Sequence, residues 1–207
     1  ITWNEYEPVY MTEEEFNNAV AKEQPRELEE PGKIYFYNGY LFVNEVNKGV
    51  HIIDNGNPKD PDNIGFINIP ANKDIAVKGD LLYADSYSDL LVFDITDMQN
   101  PELISRKEDV FKSSVSIQRG FPYQPVDASK GIAVDWKEVE VEEVCEDDCS
   151  FMGSETGGVW TTSTQGDAAG SRFGGNATAG VGGSMARFAI TGDYLYAVDH
   201  QDLYTFD

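Results

Sequence analysis

One spacing recurs along this chain and constrains it more than any other feature. A turn glycine precedes a strand-end aspartate by 15 residues three times: Gly39 to Asp54, Gly79 to Asp94 and Gly192 to Asp207. The first two copies lie 40 residues apart, Gly39 to Gly79 and Asp54 to Asp94. Each copy has apolar strand-length runs around its glycine. Ile34-Tyr35-Phe36-Tyr37 and Tyr40-Leu41-Phe42-Val43 flank Asn38-Gly39, which reads as a hairpin. Val50-His51-Ile52-Ile53-Asp54 is a third strand, and Ile64-Gly65-Phe66-Ile67 a fourth beyond a Gly/Pro/Asn/Asp turn. The next copy runs through Ile75-Ala76-Val77, Leu81-Leu82-Tyr83-Ala84, Leu90-Leu91-Val92-Phe93-Asp94 and Leu103-Ile104.

A unit of about forty residues with four short strands matches one blade of a β-propeller. A lone sheet of that size buries too little apolar surface, so neighbouring units must stack. The expected fold is all-β: a partial propeller of about three four-stranded blades, with a short N-terminal helical arm and a long Gly-rich insertion. The reading divides the chain into an arm (1–31), blades at 32–70 and 71–111, an irregular blade or insertion at 112–184, and the start of a further blade at 185–207. About three blades do not close a ring, so the expectation is the N-terminal part of a longer propeller, cut or completed by another chain.

Thr12 and Glu15 form a capping box, with Met11 and Phe16 at the spacing of a hydrophobic staple. A helix is expected over about residues 13–22, stopped before Pro25. Residues 138–148 hold seven acids and no base, and the alternation of Val139, Val141 and Val144 with Glu138, Glu140 and Glu142 predicts a half-exposed strand. Residues 153–184 carry 10 of the 19 glycines, which opposes regular structure through backbone entropy.

Lys and Arg total 15 against 37 Asp and Glu, a net charge of 15 − 37 = −22. Such a surface repels nucleic-acid phosphates and anionic headgroups, so no nucleic-acid partner is expected. No run reaches the roughly 18 apolar residues of a membrane-spanning helix. The start at Ile1 with Trp3, Tyr6 and Tyr10 close behind reads as a processed or truncated beginning.

Candidate sites are few. Asp54-Asn55-Gly56-Asn57 with Asp60 and Asp62 offers clustered oxygens of the kind calcium prefers, but Pro58, Lys59 and Pro61 break any EF-hand spacing, and the residues are those the turn itself requires. No metal ligand or cofactor is therefore assigned, with calcium at the acidic turns as the weaker reading. Cys145 and Cys149 lack the two further ligands of a zinc site, since the only histidines are His51, placed mid-strand, and His200; a local Cys145–Cys149 disulfide is the simpler reading in an exported protein. The Gly-rich stretch lacks a Gly-Lys-Ser/Thr ending, and Ser171 and Ser184 lack a neighbouring base. Asn176-Ala177-Thr178 matches a glycosylation sequon. Tyr35, Tyr37, Tyr83, Tyr87, Tyr194 and Tyr196 recur on strands as packing residues or as a partner-gripping face. No catalytic residue is assigned.

Gly49-Val50-His51-Ile52-Ile53-Asp54 and Leu90-Leu91-Val92-Phe93-Asp94-Ile95, each followed by an Asn/Pro turn, resemble the LVIVD repeat of bacterial surface proteins. Pro31-Gly32-Lys33-Ile34-Tyr35, Leu82-Tyr83-Ala84-Asp85-Ser86-Tyr87 and Gly183-Ser184-Met185-Ala186-Arg187-Phe188 look like a Bacteroidetes group of such proteins. The resemblance covers residues 31 to 111 and 183 to 207. It implies a β-propeller, export, and a lipoprotein exposed at the outer membrane or cell surface of a Gram-negative bacterium, anchored by lipid rather than by a transmembrane segment. The functional expectation is a non-enzymatic protein-binding or scaffold subunit, within an outer-membrane protein complex. Two other readings stay open: a carbohydrate-active propeller enzyme using paired carboxylates and Trp160 or tyrosine stacking, and a metal-dependent adhesion module.

Overall fold

The computed structural model describes residues 2–111, 124–142, 187–199 and 202–207. The strands are β1 (Thr2–Met11), β2 (Ala21–Glu23), β3 (Pro31–Tyr37), β4 (Tyr40–Glu45), β5 (Gly49–Asp54), β6 (Asp62–Asn68), β7 (Ile75–Lys78), β8 (Leu81–Ser86), β9 (Asp89–Asp94) and β10 (Glu102–Lys107). After the second blade come β11 (Ile132–Glu142), β12 (Phe188–Thr191), β13 (Tyr194–Asp199) and β14 (Asp202–Phe206). One α-helix, α1 (Glu13–Asn18), lies between β1 and β2.

The fold is all-β and propeller-like. Strands β3 to β6 form the first blade with β2 added at its outer edge, β7 to β10 the second, and β12 to β14 the third. Every pairing between consecutive strands is antiparallel. The innermost strands β3, β7 and β12 are neighbours in that order. Up-and-down pairing sorts the connections to two ends. The β4–β5 and β8–β9 turns lie at one end with the links between blades; the other end carries the β3–β4, β7–β8, β5–β6 and β9–β10 turns.

Alternation along each strand puts one face of a blade toward its predecessor and the other toward its successor. Phe42, Val50, Ile52 and Ile67 of the first blade meet Ile75, Val77, Leu82, Leu91 and Phe93 of the second in one core. Ala76 and Leu90, from the opposite face of the second blade, meet Phe188, Leu195 and Ala197 of the third. Phe111 completes this second core, edge-on to Phe188 at 6.0 Å and to Tyr204 at 6.1 Å. The third blade thus abuts the second although the chain between Phe111 and Arg187 is long.

The hairpin turns correct the sequence alignment by one residue. Tyr37 pairs Tyr40 around Asn38-Gly39, both at positive φ (50° and 84°), a primed two-residue turn. Lys78 pairs Leu81 around Gly79-Asp80, so Asn38 and not Gly39 is the counterpart of Gly79. The offset between the two blades is therefore 41 in the inner two strands and 40 in the third. The difference is absorbed by the β4–β5 turn, which has one more residue between its last paired positions (Glu45 with Gly49) than the β8–β9 turn (Ser86 with Asp89).

The N-terminal segment also departs from expectation. Its capping box is present: Thr12 Oγ1 accepts from Glu15 N at 3.2 Å, and Glu15 Oε2 accepts from Thr12 N at 2.8 Å. The helix ends at Asn18, short of residue 22, because Ala21–Glu23 pair with Phe66, Ile67 and Asn68 along the outer edge of the first blade. Asn68 Nδ2 fixes the crossing by donating to the Ala19 carbonyl at 2.8 Å. Residues 2–11, read as part of an arm, form a strand with β11, from Thr2 opposite Glu142 to Met11 opposite Ile132.

Candidate functional site

The polar residues that this fold brings together lie where one blade hands over to the next. Among the described residues Asn44, Glu45, His51, Asn72, Asp74, Asp85, Ser86 and Asp89 are buried. Burying such groups is unfavourable unless each is paired. Their partners show what each does.

Asp85, at the end of β8, accepts at Oδ1 from the Lys73 and Asp74 backbone N–H groups (2.7 and 2.9 Å) and from Asn72 Nδ2 (3.0 Å). Its Oδ2 accepts from Arg187 Nη1 at 3.0 Å, across to the third blade. Burial pushes the Asp85 carboxyl above its ordinary range, and Arg187 with the backbone donors opposes that shift. Asp74 pairs with Lys33 Nζ of the first blade at 2.9 Å and accepts from Ile75 N at 2.8 Å. Its Oδ2 accepts from the backbone N–H of Arg187 and, at 3.0 Å, from that of Phe188. One carboxylate therefore ties three blades. Asn44, one blade earlier at the repeat position of Asp85 (85 − 44 = 41), donates to Asn72 Oδ1 at 2.5 Å. That position holds the segment leading into the following blade, by an amide in one case and a carboxylate in the other.

A second group lies on the first blade, on the face turned away from the second. Glu45 accepts from Glu30 N at 2.5 Å, Glu29 N at 3.2 Å and His51 Nε2 at 2.9 Å. Asn63 Nδ2, donating to the Arg26 carbonyl at 2.8 Å, also lies 3.3 Å from His51 Nδ1. An amide nitrogen only donates, so Nδ1 accepts and the ring proton sits on Nε2 toward Glu45. The ring packs edge-on to Phe66 at 4.8 Å, and the Arg26 guanidinium lies over the Phe66 ring, 3.4 Å from its centroid. Burial lowers the His51 pKa, the hydrogen bond and charge of Glu45 oppose this, and Arg26 adds to it. His51 is thus a packed residue, as its mid-strand place suggests.

The folded pKa of His51 lies below the ordinary 6.5, so the unfolded chain binds the proton more readily. Stability from this group is lost as pH falls from about 6.5 toward the lower folded value. Denaturant titrations between about pH 7 and 5 are expected to show that decline in the native sequence and a flatter profile in His51→Gln.

In the acidic turns the Asx side chains cap the turn backbone. Asp54 Oδ1 accepts from Gly56 N at 2.8 Å, and Asn57 Oδ1 from Lys59 N at 3.3 Å. In the next blade Asp94 accepts from Thr96 N at 2.8 Å, Asp97 from Gln99 N at 2.9 Å and from Asn100 Nδ2 at 2.9 Å. These donors hold Asp94 and Asp97 below their ordinary pKa, Thr96 leading for the first and Asn100 for the second. Among the described residues no three His, Cys, Asp or Glu side chains converge as a metal site. Cys145, Cys149, Trp160, Ser171, Asn176, Ser184 and His200 lie outside the described residues. Tyr35 and Tyr37 pack on the first core, Tyr83 on the second, and Tyr87 sits edge-on to Phe16 at 6.2 Å. Tyr194 is exposed beside Tyr196, 6.4 Å away.

The β1–β11 ribbon sits at the end that carries the inter-blade links. Val9, Met11 and Ile132 pack around Phe16, Ala71 and Val134, with Tyr87 beside them. Asn47 Nδ2 donates to Asp135 Oδ1 at 2.9 Å, tying ribbon to the β4–β5 turn. Gly131 precedes β11 at φ +116°, and a Cβ there would collide with the Met11 carbonyl, so only glycine allows the close approach. Gln124 donates from its backbone to the Tyr6 carbonyl at 2.8 Å and from Nε2 to Glu5 at 2.6 Å. Lys137 Nζ lies 3.1 Å from Glu7 and leads the causes that lower the Glu7 pKa.

The LVIVD repeat family model matches residues 71–108, a span that begins in the link before β7 and ends just after β10. The match and the second blade coincide, and the chain is a repeat protein of β-propeller type. No curated protein and no solved structure matches the chain. Among the described residues no helix is long and apolar enough to cross a membrane.

Proposed function

We propose that this chain is a non-enzymatic propeller module that binds a protein partner, as a scaffold subunit of an outer-membrane assembly at the surface of a Gram-negative, Bacteroidetes-type bacterium. The observation that carries this reading is how its buried charges are used. Asp74 and Asp85 are taken up by backbone N–H groups and cations at blade junctions, Glu45 by the Glu29 and Glu30 N–H groups and His51 on the first blade, and Asp89 by Arg106 Nε at 2.7 Å and Asp109 N at 3.1 Å. A carboxylate saturated in this way serves the fold and is poorly placed to move a proton to or from a substrate.

What exceeds the needs of the blades is the β1–β11 ribbon, at the end that carries the inter-blade links, and the long stretch of sequence between Phe111 and Arg187. Loops on a rigid scaffold are where binding is usually built. Export and a lipid anchor belong to the same proposal, supported by the LVIVD match and the sequence features that accompany it.

Deleting residues 146–184 is expected to leave the melting temperature within about 2 °C, because this Gly-rich stretch lacks the strand pattern of the repeat. The same deletion is expected to abolish co-purification of membrane proteins from mild-detergent extracts. Retained co-purification would overturn the assignment of the partner surface. Turnover on a glycan panel would overturn the non-enzymatic reading.

A further inference from the structure

The β1–β11 ribbon joins a hydrophobic core only at its root. Val9, Met11, Ile132 and Val134 belong to the cluster around Phe16, whereas Trp3, Val139 and Val141 of the distal half belong to none of the three cores. A two-stranded ribbon without a core of its own is marginally stable in water, and a third strand is what completes such a sheet. One edge is already engaged. The Gln124 backbone N–H donates to the Tyr6 carbonyl on β1, and Gln124 Nε2 reaches Glu5 and Glu7 at 2.6 and 3.1 Å. Along the other edge, β11 pairs with no strand but β1 among the described residues.

The register shows what that open edge offers. Residues opposite each other share a face of the sheet. Thr2, Asn4 and Tyr6 lie opposite Glu142, Glu140 and Glu138, while Trp3 and Glu5 lie opposite Val141 and Val139. One face of distal β11 therefore carries three exposed carboxylates at alternate positions, and the other carries two half-buried valines beside Trp3. Asn4 Nδ2 donates to Glu138 at 2.9 Å. Among the described residues no Lys or Arg pairs with Glu138, Glu140 or Glu142. The cation next in sequence, Lys137, lies on the valine face and is taken by Glu7 at 3.1 Å.

We propose that the edge of β11 along residues 137–142 docks an extended protein segment in which Lys or Arg alternates with apolar residues, added as a third strand. Its cations would sit over Glu138, Glu140 and Glu142, and its apolar side chains on Val139, Val141 and Trp3, while its backbone completes the ladder. The net charge of −22 draws a basic segment toward this edge. It opposes a second copy, whose own β11, paired valine to valine, would set like carboxylates against these three. This docking site rests on the partner-binding reading above and gives that partner its chemistry.

The test uses the full chain and, as probe, a terminally blocked fluorescent peptide of four Lys-Val repeats, followed by anisotropy. Glu138→Gln, Glu140→Gln and Glu142→Gln together are expected to weaken capture at least about 10-fold. Glu14→Gln, Glu27→Gln and Glu108→Gln together remove the same charge from exposed acids elsewhere and are expected to change capture less than about 2-fold. The same peptide N-methylated on every backbone nitrogen keeps its charge but cannot donate to a ladder, and is expected to bind at least about 10-fold more weakly. Equal losses in the two triple variants, or full binding of the N-methylated peptide, overturn the proposal. Self-association of the chain alone that the β11 variants abolish gives the edge to a second copy and overturns it too. No capture by a chain that still co-purifies membrane proteins overturns the β11 site alone, whereas a chain that captures the peptide but co-purifies nothing overturns the partner-binding reading.

Discussion

Asp85→Ala is expected to destabilise the chain by about 3–5 kcal/mol, lowering the melting temperature by about 10 °C. The substitution strips the acceptor from two backbone N–H groups and from the Asn72 amide, and leaves the Arg187 guanidinium half-buried without its 3.0 Å partner. Orphaned buried donors cost more than the net value of the bonds they made. Asp85→Asn keeps Oδ1 as an acceptor for the backbone clasp and gives up the charge and the second acceptor facing Arg187, so it is expected to lose less. Thermal melts of the two variants side by side check the ordering. Equal losses would mean that the ion pair with Arg187, and not the backbone clasp, dominates.

Gly49→Ala is expected to cost about 3 kcal/mol or more, an unusually large effect for adding one methyl group. Gly49 starts β5 at φ +139°, a conformation L side chains rarely adopt. A Cβ there would run into the Ile67 carbonyl oxygen and the Ile69 nitrogen, both backbone atoms that cannot swing aside, and into the Phe66 ring. Gly79→Ala is the control. Its φ is +55° in open space, so the left-handed penalty of about 1–2 kcal/mol stands alone. Denaturant midpoints of the two variants separate collision from conformational cost.

The blades were legible because their signal is local and repeated. Two-residue turns between apolar runs name the β3–β4 and β7–β8 hairpins, and the Asx/Pro turns after Asp54 and Asp94 close the third strands. Either residue of a primed turn accepts glycine, so the letter alone does not fix whether Asn38 or Gly39 is the counterpart of Gly79. The capping box located the helix start. Its end is not local: Phe16, Ala19 and Val20 suit a helical face, but pairing of Ala21–Glu23 with β6, more than forty residues away, stops the helix at Asn18.

What the sequence hid is what depends on long-range pairing. Strand β1 pairs with β11 across some 130 residues, and its mixture of Glu, Tyr and Pro8 carries no clean alternation. The clasp acids were lost among 37 Asp and Glu residues. A signal existed: shifting the first blade by the structural 41 puts Asn44 under Asp85 and Lys33 under Asp74, and a further 113 puts Arg187 in the same column. The 40-residue alignment moves those columns out of phase. In the acidic turns the carboxylates that cluster in sequence each turn one oxygen to the backbone N–H group two residues on, as Asx turns require.

The third blade packs directly on the second, clasped across 102 residues of chain by Asp85 and Arg187. A double-mutant cycle between Asp85→Asn and Arg187→Gln tests that contact most directly. The structure predicts a coupling energy of about 1–3 kcal/mol, as for side chains in direct buried contact. Additivity within about 0.3 kcal/mol would place the two residues apart and contradict the stacked-blade arrangement.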